Sequence, residues 1–335
     1  MILIITSKQD GHVNAVARHF DAAGAQWARL NTEDFSTNVK LSIRPATGSG
    51  ELILRDSGKA IDLTEVRAVW FRKPEPPVIS HFALDQGALD YVEAELNEVL
   101  LGLYALLRKA TWINDPFATR IAHRKMLQMH VAKQVGFDIP RSLITNDSDA
   151  ALRFAADLNA DLAIKSLSSI SVVRPVGNTA AVQYGIFTRR VSAAELGRVK
   201  DHIASMPTLY QEFVEKVFEL RVTVVGERIF ACRIDHRSDD ITAGDYRFDT
   251  ANLTHTPWDC KSLHAQIRAY MKFFGLNFGC FDIIISKDGR AVFLECNPNG
   301  QWAWIENATA LPIGQAIAEE LIAAKNLDLN LCDQV

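Results

Sequence analysis

Short apolar runs alternate with apolar positions at helical spacing through the first third of the chain. MILIIT reads as a buried strand, Val13–Ala23 as a helix and AQWARLN as a second strand. AVWFR reads as a further strand and runs into the breaker cluster Lys73-Pro74-Glu75-Pro76-Pro77. Leu89, Val92, Leu96, Val99, Leu100 and Leu103 then recur at the spacing of one helix face, and the short strand TWIND with Pro116 closes the run. The pattern predicts a small α/β domain with a mostly parallel sheet over residues 1–116. The Gly48–Gly50 pair is not followed by a helix and does not complete a dinucleotide fingerprint.

Residues 117–208 read as a second unit. It holds a helix around Ala122–Val135 that ends at Gly136, a strand in DIPRSLIT and a capped helix from Asp147. The strands LAIKS and AVQYGIFTRRV and a helix from Ser192 complete it. The third unit, residues 209–335, opens with TLYQEFV and a hairpin, FELRVTV–VGER–IFACRI. An irregular polar stretch over Asp239–Thr256, a helix to Phe274, a second hairpin and a closing helix over Leu311–Lys325 follow. The expected fold class is α/β (α+β).

The second hairpin, FDIIISKDGRAVFLECNPNG, carries the sharpest chemical signal. A two-residue turn at Asp288-Gly289 would pair Lys287 with Arg290, Ile285 with Val292, and Asp282 with Glu295. Asn297, two residues beyond Glu295, would share their face. Opposed side chains sit about 5 Å apart at Cβ, where two negative charges repel by about 3 kcal/mol at an effective dielectric near 20. A cation between them removes the conflict, and two carboxylates with an amide oxygen suit Mg²⁺. The competing reading is a protonated or solvent-screened pair on a sheet rim, against which the apolar neighbours on both strands argue.

Composition narrows the classes. At 335 residues, 48% hydrophobic and 23% charged, the chain has material for two or three ordinary globular domains. A net charge of −4 gives no basic surplus for nucleic acid. The N-terminus turns polar too soon for a signal peptide, and no apolar run reaches a membrane span. Five scattered cysteines without a CxxC read as reduced core residues of a cytoplasmic protein. There is no P-loop, no HExxH and no GxSxG.

A distributed set of candidates remains, and each has a plain alternative. Lys165 stands inside the apolar strand LAIKS, so it either meets an anion or reaches past the strand end to water. Lys125 alone reads as a solvated helix charge. Glu219 and Arg221 alternate with Phe218, Leu220 and Val222 and share one strand face, which suits an exposed ion-paired surface as well as a site. Gln211-Glu212-Phe213-Val214 follows a strand, and Arg247 sits in the polar loop GDYR.

Taken in order, these residues resemble the ATP-grasp ligases. A helix lysine, IPRSLIT, a strand lysine, QEFV, ELRV, GDYR and Asp282 followed by ECN succeed one another across residues from about 120 to 320. WFRKP in the first unit and NPNGQWAWIE near the end are most similar to the MvdC/MvdD-type maturases. These graspetide synthetases cyclise ribosomally made precursor peptides and are related to the RimK-type glutamate ligases.

The resemblance implies an ATP-grasp fold behind an N-terminal pre-ATP-grasp domain, ATP and Mg²⁺ as cofactors, a precursor peptide as partner, and a homodimer. It implies that Lys125 and Lys165 contact nucleotide phosphates, with Lys165 also near the adenine. Gln211 and Glu212 through Val214 would line the adenine hinge, and Glu219 would accept from the ribose hydroxyls. Arg247 would neutralise the γ-phosphate and the developing acyl phosphate. Arg221 would face the acyl-phosphate site, with Arg72 contributing from the first domain, and Asp282, Glu295 and Asn297 would hold Mg²⁺. The activity implied is activation of Asp or Glu side chains as acyl phosphates, then closure onto Ser/Thr or Lys as macrocyclic ω-esters or ω-amides. The alternatives are a ligase that adds a free amino acid, and a non-catalytic nucleotide- or leader-binding module. Two features depart from the pattern or stay open. SLSSISVVRPVGNTA carries one glycine where many ATP-grasp enzymes have a Gly-rich lid, and Arg189 and Arg190 suit either an acidic leader or a solvated strand end.

Overall fold

A computed structural model describes residues 1–168, 172–174, 182–184, 188–236 and 253–324. The chain begins with β1 (Ile2–Thr6), α1 (His12–Ala22), β2 (Trp27–Asn31) and the short α2 (Phe35–Asn38). Next come β3 (Val39–Arg44), β4 (Ser49–Leu54), β5 (Lys59–Asp62) and β6 (Ala68–Phe71). The long α3 (Gln86–Leu106) leads to β7 (Thr111–Ile113). Four strands form a parallel sheet in the order β2-β1-β6-β7. Its strands are apolar on both faces, as buried parallel strands require: Leu3, Ile5 and Val69 enter one core, Ile2, Ile4, Ala68 and Trp70 the other. Strands β3, β4 and β5 form a separate antiparallel sheet that packs Leu52, Leu54 and Ile61 into the first of these cores. The sequence reading missed it, although Val39, Leu41 and Ile43 alternate with Lys40, Ser42 and Arg44 as a half-buried strand does.

The helix expected over Ala122–Val135 is two, α4 (Pro116–Ala122) and α5 (Lys125–Gln134), broken at His123-Arg124. After β8 (Ser142–Thr145) come α6 (Ser148–Leu158), capped by the Asp147 carboxylate as the sequence suggested, and β9 (Leu162–Lys165). Strands β10 (Val172–Arg174) and β11 (Val182–Tyr184) pair with each other. Strand β12 (Arg189–Val191) pairs with β9, so AVQYGIFTRRV is not one strand. A capping box of Ser192 and Glu195 opens α7 (Ala193–Arg198), followed by α8 (Lys200–Ile203) and β13 (Thr208–Glu212). The central antiparallel sheet runs β12-β9-β13-β8, and the chain leaves it at Phe213.

The last sheet is antiparallel, in the order β16-β15-β14-β17-β18. It comprises β14 (Lys216–Val225), β15 (Arg228–His236), β16 (Leu253–Trp258), β17 (Phe278–Ser286) and β18 (Ala291–Asn297). Strand β16 begins inside the stretch expected to be irregular. The helices here are α9 (His264–Phe274), α10 (Ala303–Thr309) and α11 (Ile313–Ile322). One face of the sheet buries Leu220, Val222, Val224, Phe281, Ile283 and Phe293 against α5 and α9. At the far end of the other face, Val225, Cys232 and Cys280 join a core with α1, α11 and the parallel sheet. That shared core fixes the first sheet against the last.

The β17–β18 turn differs from expectation. Ser286 N–H donates to the Arg290 carbonyl at 3.0 Å, so Lys287, Asp288 and Gly289 make a three-residue turn. Gly289 supplies the left-handed position at φ +80°. Ile285 therefore pairs with Ala291 instead of Val292. A bulge at Leu294 then shifts the register back, and Asp282 pairs with Glu295 as expected.

Candidate active site

Strand alternation puts the site on one face of the last sheet. Glu219 and Arg221 point to it from β14, with Leu220 and Val222 turned into the core behind. Arg221 is paired with Asp282 across β14–β17, and Asp282 with Glu295 across β17–β18, so three charged residues stand in one row. Arg221 Nη1 meets Asp282 Oδ1 at 2.6 Å, and Lys125 Nζ, at the first turn of α5, meets Glu295 Oε2 at 3.3 Å. Lys165 ends β9 in the central sheet, yet its charge also acts on Glu295. The two sheets thus face each other across this cluster.

The paired acids titrate apart. Burial, with the Glu295 charge beside it, raises the Asp282 carboxyl above its ordinary range despite Arg221. Burial acts on Glu295 too, but Lys125 and Lys165 outweigh it and lower that carboxyl. The like-charge conflict is real, and basic side chains now occupy both acids.

Asn297 Oδ1 accepts the Asn299 N–H at 2.9 Å, which starts the turn after β18. The Asn299-Gly300-Gln301 turn is held by arginines from two parts of the fold. Arg72 Nη1 donates to the Asn299 carbonyl at 2.5 Å, and Arg221 Nη2 donates to the Gln301 carbonyl at 3.0 Å. A Cβ on Gly300 would overlap Cys280 and come within 2.9 Å of Arg221 Nη2, so the position needs glycine for space. Arg72 is almost fully buried, and Asp10 Oδ2 is its nearest acid, at 3.8 Å from Nε. Burial lowers the Arg72 guanidinium and Asp10 opposes that shift. Asp10 itself is opposed by burial, but His12, Arg72 and Thr6 bring its carboxyl down to about 2.

The hinge candidates lie where the chain passes between sheets. Glu212 N–H donates to the Arg141 carbonyl at 2.9 Å and Phe213 N–H to the Asp161 carbonyl at 2.8 Å. Among the described residues the Val214 N–H donates to no backbone carbonyl. The Arg190 guanidinium stacks 4.3 Å over the Phe213 ring and pairs with Asp161 at 2.6 Å. The Gln211 side chain turns away from the hinge, donating to Ser142 Oγ at 2.9 Å in the buried β8–β13 interface. Glu219 is buried and paired with Lys216 three residues earlier. Arg247 lies outside the described residues, as do parts of the lid segment.

Sequence reading missed Gln128. Its amide is buried and bonds both the N–H and the carbonyl of Cys296, between Glu295 and Asn297. A polar residue among Met129, Val131 and Ala132, on the face of α5 that Lys125 starts, was the available signal. Asn114 was missed as well: its amide bonds the backbone of Asn277, Phe278 and Pro298, tying β7 to β17 and to the turn after β18.

The donor set is hard oxygen: two carboxylates and an amide oxygen that retains a second lone pair beside its bond to Asn299. Among the described residues no three His, Cys, Asp or Glu side chains cluster as a metal site. Two acids and an amide suit Mg²⁺, which usually keeps water and substrate phosphate as its other ligands.

Comparison with known proteins agrees with this fold. Residues 1–120 match the model of the MvdD pre-ATP grasp domain. The macrocyclase MdnC from Microcystis aeruginosa, solved with the precursor peptide MdnA, is 29% identical, with 96% of this chain and 99% of that chain covered and a TM-score of 0.83. A RiPP-associated ATP-grasp ligase from Chryseobacterium gregarium, solved with ADP and a leader and core peptide, is 25% identical, with 98% of each chain covered and a TM-score of 0.87. The macrocyclase MdnB, also from Microcystis aeruginosa, is 28% identical over 96% of this chain and 99% of that chain, with a TM-score of 0.77. No curated protein sequence matches the chain. The fold and these likenesses make it an ATP-grasp ligase with an MvdD-type pre-ATP-grasp domain. More particularly, it is a ligase of the graspetide-synthetase type.

Proposed function

We propose that this ligase uses ATP and Mg²⁺ to activate Asp or Glu side chains of a ribosomal precursor peptide and closes them onto Ser/Thr or Lys as ω-esters or ω-amides. The observation that carries the reading is the opposed Asp282–Glu295 pair, ringed by Arg221, Lys125 and Lys165. The solved relatives add weight, since one was crystallised with a precursor peptide and another with ADP and a leader and core peptide.

The division of labour follows from charge. Lys125 and Lys165 would leave Glu295 to hold the nucleotide phosphates. The Val214 N–H and the neighbouring hinge backbone would read the adenine edge, and Glu219 would accept from the ribose. Asp282, Glu295 and Asn297 would hold Mg²⁺, which offsets charge on the phosphates as the γ-group moves to the substrate carboxylate. Arg221, freed from Asp282, would then face the acyl phosphate with Arg72 behind it. Arg247 joins this set on the resemblance alone. The Ser/Thr hydroxyl or Lys amine attacks the acyl carbon, the acyl–phosphate bond breaks, and phosphate leaves with ADP already formed.

The division into units at 1–116, 117–208 and 209–335 belongs to the same reading, as do a homodimer and a cytoplasmic location. Cys232, Cys260, Cys280 and Cys296 are free and buried, as in a reducing compartment. Among the described residues no helix is long and apolar enough to cross a membrane. Co-expression with the precursor tests the function: each ring should cost the peptide the mass of one water, dependent on ATP. A gain equal to an added amino acid, or an unchanged mass with the correct precursor, would contradict it.

A further inference from the structure

We infer that Gln128 is the positioning residue of the metal strand, holding Glu295 and Asn297 in register by gripping the backbone between them. The inference rests on the reading of Glu295 and Asn297 as metal ligands.

Strand β18 is the last in its sheet, so its outer backbone groups have no neighbouring strand to bond. Part of that edge is closed by Asp138, whose carbonyl accepts the Phe293 N–H at 2.8 Å. Beyond Leu294, where the bulge falls, Gln128 takes over. Its Oε1 accepts the Cys296 N–H at 3.0 Å, and its Nε2 donates to the Cys296 carbonyl at 2.8 Å. The side-chain amide thereby imitates one residue of an adjacent strand. The second Nε2 hydrogen goes to the Ala122 carbonyl at 2.6 Å, which anchors the amide to the end of α4. Both Nε2 hydrogens and one Oε1 lone pair are in use, and the residue is buried.

The consequence is geometric. Cys296 points its own side chain into the core behind the sheet, so Glu295 and Asn297 on either side of it share the site face. A bulge just before them interrupts the ladder and bends the strand, and pairing with β17 constrains only one side of this segment. Gln128 constrains the other. Because Lys125 lies one turn earlier on α5, the same helix also presents the ammonium that meets Glu295. Helix α5 therefore joins the phosphate lysine to the metal strand as one body.

The test separates metal geometry from general stability. ADP affinity is measured by calorimetry on the full-length protein, with and without saturating Mg²⁺, for wild type, Gln128→Leu, Gln128→Asn and Glu295→Gln. Loss of a residue that orients a metal ligand typically costs 10–100-fold in metal affinity. Gln128→Leu should keep wild-type ADP affinity without metal and lose roughly 10–100-fold of the tightening that Mg²⁺ brings. Gln128→Asn, one methylene too short to reach, should do the same while keeping a polar group in place. Equal weakening with and without metal in both variants would make the role merely structural and overturn the inference. Full Mg²⁺ tightening in both Gln128 variants, with tightening lost in Glu295→Gln, would overturn it while leaving the metal reading intact. Full tightening in Glu295→Gln would instead overturn the metal reading itself.

Discussion

Asp282 and Glu295 stand directly opposite each other although the turn between their strands is one residue longer than the pairing requires. The bulge at Leu294 takes up the extra residue. Two irregularities thus cancel to set two acids face to face, each now held by a basic side chain, Arg221 on one and Lys125 on the other. The cluster is close to electroneutral before any ligand arrives. On the proposed reading, nucleotide phosphates would draw Lys125 and Arg221 away, leaving the two acids to hold Mg²⁺.

Asp282→Asn and Glu295→Gln should each lower ring formation by at least ~100-fold, as loss of a group that stabilises transferring charge does. Both are near-isosteric and keep a side-chain oxygen for Arg221 or Lys125 to bond, so thermal unfolding should stay near that of wild type. Near-normal product yield from either variant, followed by mass spectrometry, would remove that acid from the metal set.

Arg221→Lys should also fail, by roughly 10-fold or more, although charge is kept. Arg221 spans Asp282 Oδ1 and the Gln301 carbonyl with two separate nitrogens, a fork that a single ammonium does not reproduce. Steady-state kinetics should show the loss in turnover with little change in ADP affinity.

Gly300→Ala should destabilise the protein by about 1–3 kcal/mol in chemical denaturation, the usual cost of forcing a methyl into a packed site. The added Cβ meets Cys280 and the Arg221 guanidinium, so activity should fall together with stability. Unchanged stability would mean that the turn relaxes without touching either.

Acid should expose Asp10. Its carboxyl lies at about 2 in the folded protein against an ordinary 3.8, so it favours folding above pH 3.8. That contribution, about 2 kcal/mol, is lost as pH falls from 3.8 through about 2, where both states bind the proton. Asp10→Asn should therefore be less stable than wild type near pH 6, with the gap closing toward pH ~2. A gap that stays constant with pH would show that Asp10 is not held by charge.

Much of the fold was legible because burial writes itself into periodicity. MILIIT, LAIKS and the alternation of Glu219 and Arg221 with Leu220 and Val222 all reappear as strands facing the expected way. Asp147 and Ser192 announced their helices through capping chemistry. The β3–β4–β5 sheet was missed although β3 was legible, since Lys40, Ser42 and Arg44 alternate with Val39, Leu41 and Ile43; β4 and the short β5 carry weaker patterns. At the site, acids and bases could be listed from the sequence but not paired. The grip of Gln128 on a backbone 168 residues away leaves no trace in spacing. Nor does the space that Cys280 denies to a side chain at Gly300. The turn at Lys287-Asp288-Gly289 looked shorter than it is because Asp-Gly suits two turn lengths, and only the compensating bulge preserved the pairing.

The most direct test follows an oxygen atom. A precursor whose Asp and Glu side chains carry oxygen-18 is incubated with the ligase, ATP and Mg²⁺, and the released phosphate is weighed by mass spectrometry. Activation as an acyl phosphate requires one labelled oxygen in phosphate for each ring closed, and none from Glu295→Gln. Rings formed with unlabelled phosphate, or no transfer from the wild-type protein with its own precursor, would contradict the account.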